Sequence, residues 1–150
     1  MRSRFAVIWA FSLLVGCGNS ATDQGPHELP TTTMTIGGKQ FVVEKAITEF
    51  QQHMGLMRRD SLPPDHGMIF PFAVASPQTF WNHDVRFPLD VLFLDDGGNI
   101  VSIQHMRAYD DSDTQAVTAR YVVELNFGTA AQLGLKEGDH LNVPADVKEP

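Results

Sequence analysis

Apolar and polar positions along this chain fall into short blocks, and each block predicts one element. Phe41 to Ile47, FVVEKAI, is rich in β-branched residues and predicts a strand. Thr48 fits a helix N-cap, and Gln51 three residues later completes a capping box. Phe50, Met54 and Met57 recur at helical spacing, and Gly55 suits a left-handed stop. The methionines read as adaptable core filler rather than a ligand set. Leu62 to Gly67 carries Pro63-Pro64 and predicts a rigid loop. Met68-Ile69-Phe70 predicts a short buried strand, followed by a loop from Pro71 to Pro77. Thr79 to Asp84, with Phe80 and Trp81, is a candidate strand. Leu89 to Leu94, LDVLFL, is apolar on both faces and predicts a central strand. Asp95 to Asn99 is a hairpin turn, and Ile100 to Met106 is its return strand. Arg107 to Thr118 reads as an exposed loop and Tyr121 to Phe127 as a further strand. Gly128 to Leu133 suits a short helix ending at Gly134, and Lys136 to Asp139 turns into a last strand, His140 to Val143. About seven short strands and two short helices predict an α+β fold. It is mainly antiparallel, with the sheet curled into a small barrel or sandwich.

The first residues follow a different pattern. Arg2 and Arg4 precede Phe5 to Gly16, an almost wholly apolar stretch. It is too short to cross a bilayer, which takes roughly 20 helical residues, and it suits the core of a secretory signal. Leu14-Val15-Gly16-Cys17 resembles the bacterial lipobox, in which the leader is cut before a cysteine that carries lipid. Acyl chains anchor at about 0.8 kcal/mol per buried methylene, so two or three hold durably. Gly18 to Thr33, GNSATDQGPHELPTTT, has no apolar period and predicts a flexible tether. The expected organisation is a leader over 1–16, a tether with lipidated Cys17 over 17–33, and one globular domain over 34–150. The expected location is the bacterial cell envelope, outside the cytoplasm, facing the periplasm if the cell is Gram-negative. The membrane is then a partner through Cys17.

Composition changes this picture little. A chain of 150 residues, 43% hydrophobic and 19% charged, supports one domain. The formal charge of -7 argues against nucleic acid, and losing Arg2 and Arg4 with the leader makes the rest more acidic still. The single cysteine excludes an internal disulfide and a cysteine zinc knuckle. There is no G-x-S-x-G, no glycine-rich phosphate loop and no HExxH, so no cofactor and no metal are expected.

Candidate chemistry is sparse. Asp90 and Glu124 interrupt apolar strand patterns, where a carboxylate must be paired, hydrogen-bonded or protonated. Two such groups can serve as acid and base if their environments separate their pKa values. The alternative is an ion pair with Arg59 or Arg120 that fixes the fold. His83 and Asp84, with His105 on another strand, offer metal-ligand atoms, but no ligand spacing supports a site. Asp110-Asp111-Ser112-Asp113 lacks the glycine and distal glutamate of a calcium loop.

Several blocks together resemble domain-of-unknown-function family 192. These are Gly55-Leu56-Met57, Arg59, Leu62-Pro63 and Gly67 to Phe70, then Phe80-Trp81, Pro88-Leu89-Asp90 and Phe93-Leu94-Asp95. Tyr121 to Asn126, Gly128 and Gly138-Asp139 close the series. The resemblance spans about Phe41 to Val143 and implies a small, mostly β domain, often exported, with no established reaction. It also makes Arg59 the preferred partner of Asp90. The family's tryptophan is followed by Met-x-Asn-Thr, whereas here Asn82, His83, Asp84 and Val85 follow Trp81. The reading that results is a lipid-anchored envelope module that binds a small ligand or an envelope protein. Trp81, Asn82, His83, Asp84 and Arg59 are its expected binding residues. The alternatives are a hydrolase of envelope material using Asp90 and Glu124, and a purely structural interaction module.

Overall fold

The structure, a computed structural model, describes residues 29–148. The leader, Cys17 and the front of the expected tether lie outside them. Six strands build one sheet: β1 (Thr31–Ile36), β2 (Lys39–Lys45), β3 (His66–Gln78), β4 (Leu89–Leu94), β5 (Ile100–Met106) and β6 (Val117–Asn126). Their order across the sheet is β1-β2-β3-β6-β4-β5, so β1 and β5 are its edges. Every neighbouring pair is antiparallel except β2 with β3. Three short helices complete the fold: α1 (Glu49–Met54), α2 (Thr129–Gln132) and α3 (Ala145–Lys148). The class is the α+β one expected, and of the two expected arrangements it is the layered rather than the closed one.

Strand alternation sends successive side chains to opposite faces, and both faces here are buried. On one face Ile69, Leu92, Leu94, Val123 and Leu125 pack with residues of β1, α2 and the C-terminal segment. On the other, Met68, Phe70, Val91, Phe93 and Val122 pack against Leu56, Leu62 and Val85. The two-sided pattern of Leu89–Leu94 has this cause, since all six residues are buried between β5 and β6. Each fully buried Val, Leu or Phe contributes about 1.5–3 kcal/mol, so β4 and β6 dominate the core.

The structure departs from the sequence reading in five places. β1 takes Thr31, Thr32 and Thr33 out of the expected tether and pairs them with Glu44, Val43 and Val42. β3 runs through Pro71 and Pro77 instead of ending at Phe70; the prolines stand opposite Tyr121 and Thr118 of β6, on either side of a register shift between Pro71 and Ser76. Thr79 to Asp84 is not a strand; Asn82 makes one isolated bridge, to Asp110. Its backbone bonds run to a neighbouring loop, since Phe80 and Thr114 exchange main-chain and side-chain bonds at 2.8 and 2.9 Å. The expected last strand reduces to one bridge, Asn99 with His140, followed by α3. Finally, α1 has the expected capping box, but none of its residues is buried and Phe50 is exposed. The helix stops at Gly55, whose φ of 44° and ψ of -127° lie where only glycine is at ease. The helical period therefore does not reach Met57; Leu56 is buried in the core and Met57 packs against it from the turn.

Two tight contacts fasten the C-terminal segment to the sheet. In the Asp95–Asn99 turn the Asp95 carboxylate accepts from the Asn99 backbone at 2.8 Å, and Gly98 takes φ 85°. A Cβ at Gly98 would lie 2.4 Å from the Leu141 carbonyl oxygen, so the glycine lets the C-terminal segment dock here. At the opposite edge, Asp146 of α3 accepts from Thr32 of β1 (3.1 Å) and from Lys45 of β2 (2.8 Å).

Candidate functional site

The register of the sheet places its carboxylates. Glu44 pairs with Met68, Met68 with Glu124, and Glu124 with Val91, so these four side chains form one row on one face. Asp90 is one residue out of step, opposite Leu125, and faces the other way. Asp90 and Glu124 therefore lie on opposite sides of the sheet and cannot share a substrate. The acid–base pair considered from the sequence does not form.

Each carboxylate meets a different environment. Asp90 is fully buried and doubly bonded: His105 Nδ1 lies 2.8 Å from one oxygen, and the Ala130 backbone N–H donates to the other at 2.8 Å. The expected Arg59–Asp90 pair is absent, because Arg59 lies on the other face and donates to both oxygens of Glu44, at 2.5 and 2.8 Å. Arg120, the other candidate partner, sits 5.0 Å over the Tyr121 ring and 3.7 Å from Asp96. Glu124 is only 4% exposed, and its carboxyl has no hydrogen bond among the described residues. Burial pushes its pKa up to about 8, against the nearby Arg59 guanidinium, which pulls it down. At neutral pH Glu124 is a buried, neutral acid.

Above Glu124 lies a small cavity of about 30 Å³. Its walls are His53 of α1, Met57 after the Gly55 turn, Phe70 of β3, and Phe80 and Trp81 of the loop before β4. Phe80 stands edge-on to Phe70 with centroids 4.9 Å apart. Trp81 stacks on His83 at 4.8 Å and 18°, and its ring lies 6.3 Å from that of His53. Gln52 donates to the Pro71 carbonyl at 2.8 Å and ties α1 to β3, which sets the width of the slot.

The other expected binding residues hold this wall in place. Asn82 is fully buried, and its amide donates to the carbonyls of Phe87 (3.0 Å) and Arg107 (2.6 Å). His83 Nδ1 lies 2.6 Å from Asp111, and Asp84, at φ 52°, accepts from Arg58 at 3.3 Å. The departure Asn82 to Val85 thus falls in the backing of the Trp81 wall. His83, Asp84 and His105 do not converge, and among the described residues no three His, Cys, Asp or Glu side chains form a metal-holding group. Sequence reasoning missed His53, Met57, Phe70 and Phe80 as site residues. The capping box at Thr48 was the available signal, since it starts the helix that carries His53 to the slot.

A wider groove of about 420 Å³ runs along Lys39, Phe41, Leu62, Asn126, Phe127 and Leu133. Its amide, Asn126, is tied to the carbonyls of Leu62 and Pro63 at 2.9 and 3.1 Å. The cavity over Glu124 is the stronger candidate, because the carboxyl that lines it has no hydrogen bond among the described residues, whereas the amide of the groove is already tied.

Residues 32–143 match the sequence pattern of domain-of-unknown-function family 192, described as "Uncharacterized ACR". Among solved structures, the chain is similar to a protein of unknown function from Novosphingobium aromaticivorans. Identity is 32%, with 75% of this chain and 84% of that one covered, at a TM-score of 0.67. It is also similar to a putative transcription regulator from Sinorhizobium meliloti, at 36% identity, 75% and 90% coverage and a TM-score of 0.61. No curated protein matches.

Proposed function

The chain belongs to domain-of-unknown-function family 192, and from that premise we propose that it is a ligand-binding module of the bacterial envelope whose recognition site is the Trp81–Glu124 cavity. The observation that carries this reading is the Glu124 carboxyl. It lines the cavity and has no hydrogen bond among the described residues, so its donor and acceptor are open to a group that enters. The cavity is far smaller than a drug-sized pocket, but it has the same composition, aromatic walls with one convergent polar group, and so suits a small group at the end of a ligand. The leader, the lipobox-like Cys17 and the polar stretch after it support an envelope location with the lipid as membrane partner.

Two experiments test the reading. Crystals soaked with small neutral, cationic and anionic fragments should show density between Trp81 and Glu124; density found only elsewhere rejects the site. In a bacterial host, Cys17→Ser should leave the precursor uncut and unlipidated. A mutant that matures to the same mass and still partitions into detergent rejects the anchor.

A further inference from the structure

We propose that the Trp81–Glu124 cavity recognises a carboxamide group, which pairs with the Glu124 carboxyl through two hydrogen bonds between the aromatic walls. This rests on the reading of the cavity as a binding site and names the chemistry it takes.

Four observations lead there. The first is the donor and acceptor set. A neutral carboxyl carries one O–H donor and one carbonyl acceptor side by side. A primary carboxamide carries the complementary carbonyl and N–H on the same side, so the two close a ring of two bonds. An alcohol or a water meets both needs only in bent geometry, and an ester meets one. Glu124 has no other partner among the described residues, so both positions are open to a ligand.

The second is charge. The groups that face Glu124 are Arg59, Glu44 beyond Met68, and His53 across the slot. Arg59 is held by Glu44 through paired bonds and still acts on Glu124 as a nearby positive charge. Among the described residues, no group in hydrogen-bonding contact with Glu124 holds its proton off, and desolvation keeps it on. An entering cation would have to expel that proton with the Arg59 guanidinium nearby, and an entering anion would meet a site with no cation in contact. A neutral ligand meets neither penalty.

The third is size. A water needs at least about 10–15 Å³ of such space, so a cavity of about 30 Å³ takes a group of two or three heavy atoms. That admits the carbon, oxygen and nitrogen of an amide and excludes a whole sugar ring or amino acid. The fourth is the lining. Trp81 and His53 border the opening with rings tilted at 51° and centroids 6.3 Å apart, and Phe70 and Phe80 close the sides, so apart from Glu124 the entering group meets mainly apolar and aromatic surface.

The amide is a primary carboxamide, because a secondary amide in its trans form holds N–H and C=O on opposite sides and cannot close the ring of two bonds. A secondary amide is therefore the control in the experiment. The full chain, solubilised in detergent, is titrated with acetamide, N-methylacetamide and methylammonium, reading the Trp81 indole N–H by NMR. Trp81→Phe assigns the signal. Acetamide should give a saturable shift about tenfold weaker at pH 9 than at pH 7, as the acid loses its proton. N-methylacetamide, whose trans N–H points away from its carbonyl, should bind at least about tenfold more weakly; equal binding overturns the two-bond pairing. Glu124→Gln should keep acetamide binding without the pH dependence, because its own amide forms the same two bonds. Glu124→Leu should lose it.

Methylammonium that binds more tightly at pH 9 and is lost in Glu124→Gln overturns the amide assignment and leaves the cavity a binding site. Acetamide shifts that persist in Glu124→Leu overturn it as well. If no probe saturates and fragment soaks leave the cavity empty, the binding reading fails with it.

Discussion

Glu124 makes the stability of this domain depend on pH in a way that one substitution should erase. In the folded chain its pKa is about 8, against 4.5 for the free group. The folded state therefore holds a proton that the unfolded state releases, and stability falls as pH rises. The sign follows from linkage: the effect is absent below pH 4.5, grows between 4.5 and about 8, and is complete above that. The slope in the window is about 1.4 kcal/mol per pH unit. The full shift is worth on the order of 5 kcal/mol, and the part developed by pH 7 on the order of 3 kcal/mol. A domain of this size is stable by about 5–15 kcal/mol, so the effect is large enough to measure. Urea denaturation followed by circular dichroism at pH 5, 6, 7 and 8 compares the native chain with Glu124→Gln. Glutamine keeps the size and polarity and removes the titration. Groups common to both proteins drop out of the difference. The variant should gain on the native chain steadily from pH 5 to pH 8. Parallel stability profiles would refute the account, and would mean that the Glu124 carboxyl is hydrated or paired in solution.

Three further outcomes rest on the same contacts. Arg59→Met removes the charge that holds the Glu124 pKa down, so the pH window should extend above 8 in the same titration; an unchanged midpoint would show that Arg59 exerts no field there. Asp90→Ala strips the buried Ala130 N–H of its acceptor and should cost about 2–4 kcal/mol by urea denaturation, whereas His105→Ala, at a half-exposed ring, should cost about 1 kcal/mol or less; equal losses would mean that the histidine contact dominates. A chain beginning at Leu29 should unfold cooperatively on heating, while one beginning at Met34 should melt several degrees lower, because it loses the pairing of Thr31, Thr32 and Thr33 with β2; equal melting temperatures would show that half of β1 is dispensable.

The sequence made the sheet's interior legible and its periphery much less so. LDVLFL and YVVEL contain so many apolar residues at adjacent positions that only a strand buried on both faces accommodates them, and β4 and β6 are such strands. Thr31 to Thr33 carried no comparable signal, because an edge strand with exposed threonines looks like a polar linker until its partner is known. The carboxylates show the same limit. Asp90 and Glu124 are each conspicuous inside apolar patterns, but which face each takes depends on the register between β4 and β6, a long-range property. The pairing of Arg59 with Glu44 was hidden for that reason too. Trp81 was conspicuous as a wall, whereas its opposite wall, His53, comes from a helix whose apolar spacing pointed to Phe50 and Met57 as core residues.

The clasp at Asp146 has a mechanical meaning. Any load carried by the segment before Leu29 enters the domain at Thr31, the outermost end of an edge strand. An antiparallel edge strand pulled from its end away from the sheet opens like a zipper, one ladder bond at a time, and offers little resistance. Here the first rungs are fastened from outside the ladder, because Asp146 grips Thr32 and Lys45 together and its helix packs Val147 into the core. Peeling must break that grip before the zipper can run. The Lys45 ammonium holds the Asp146 carboxyl below the usual carboxylate range, so the fastening persists in mildly acidic surroundings. The two ends of the described chain thus meet where a pull from a surface would be felt first, and Asp146→Ala should lower the force at which β1 detaches.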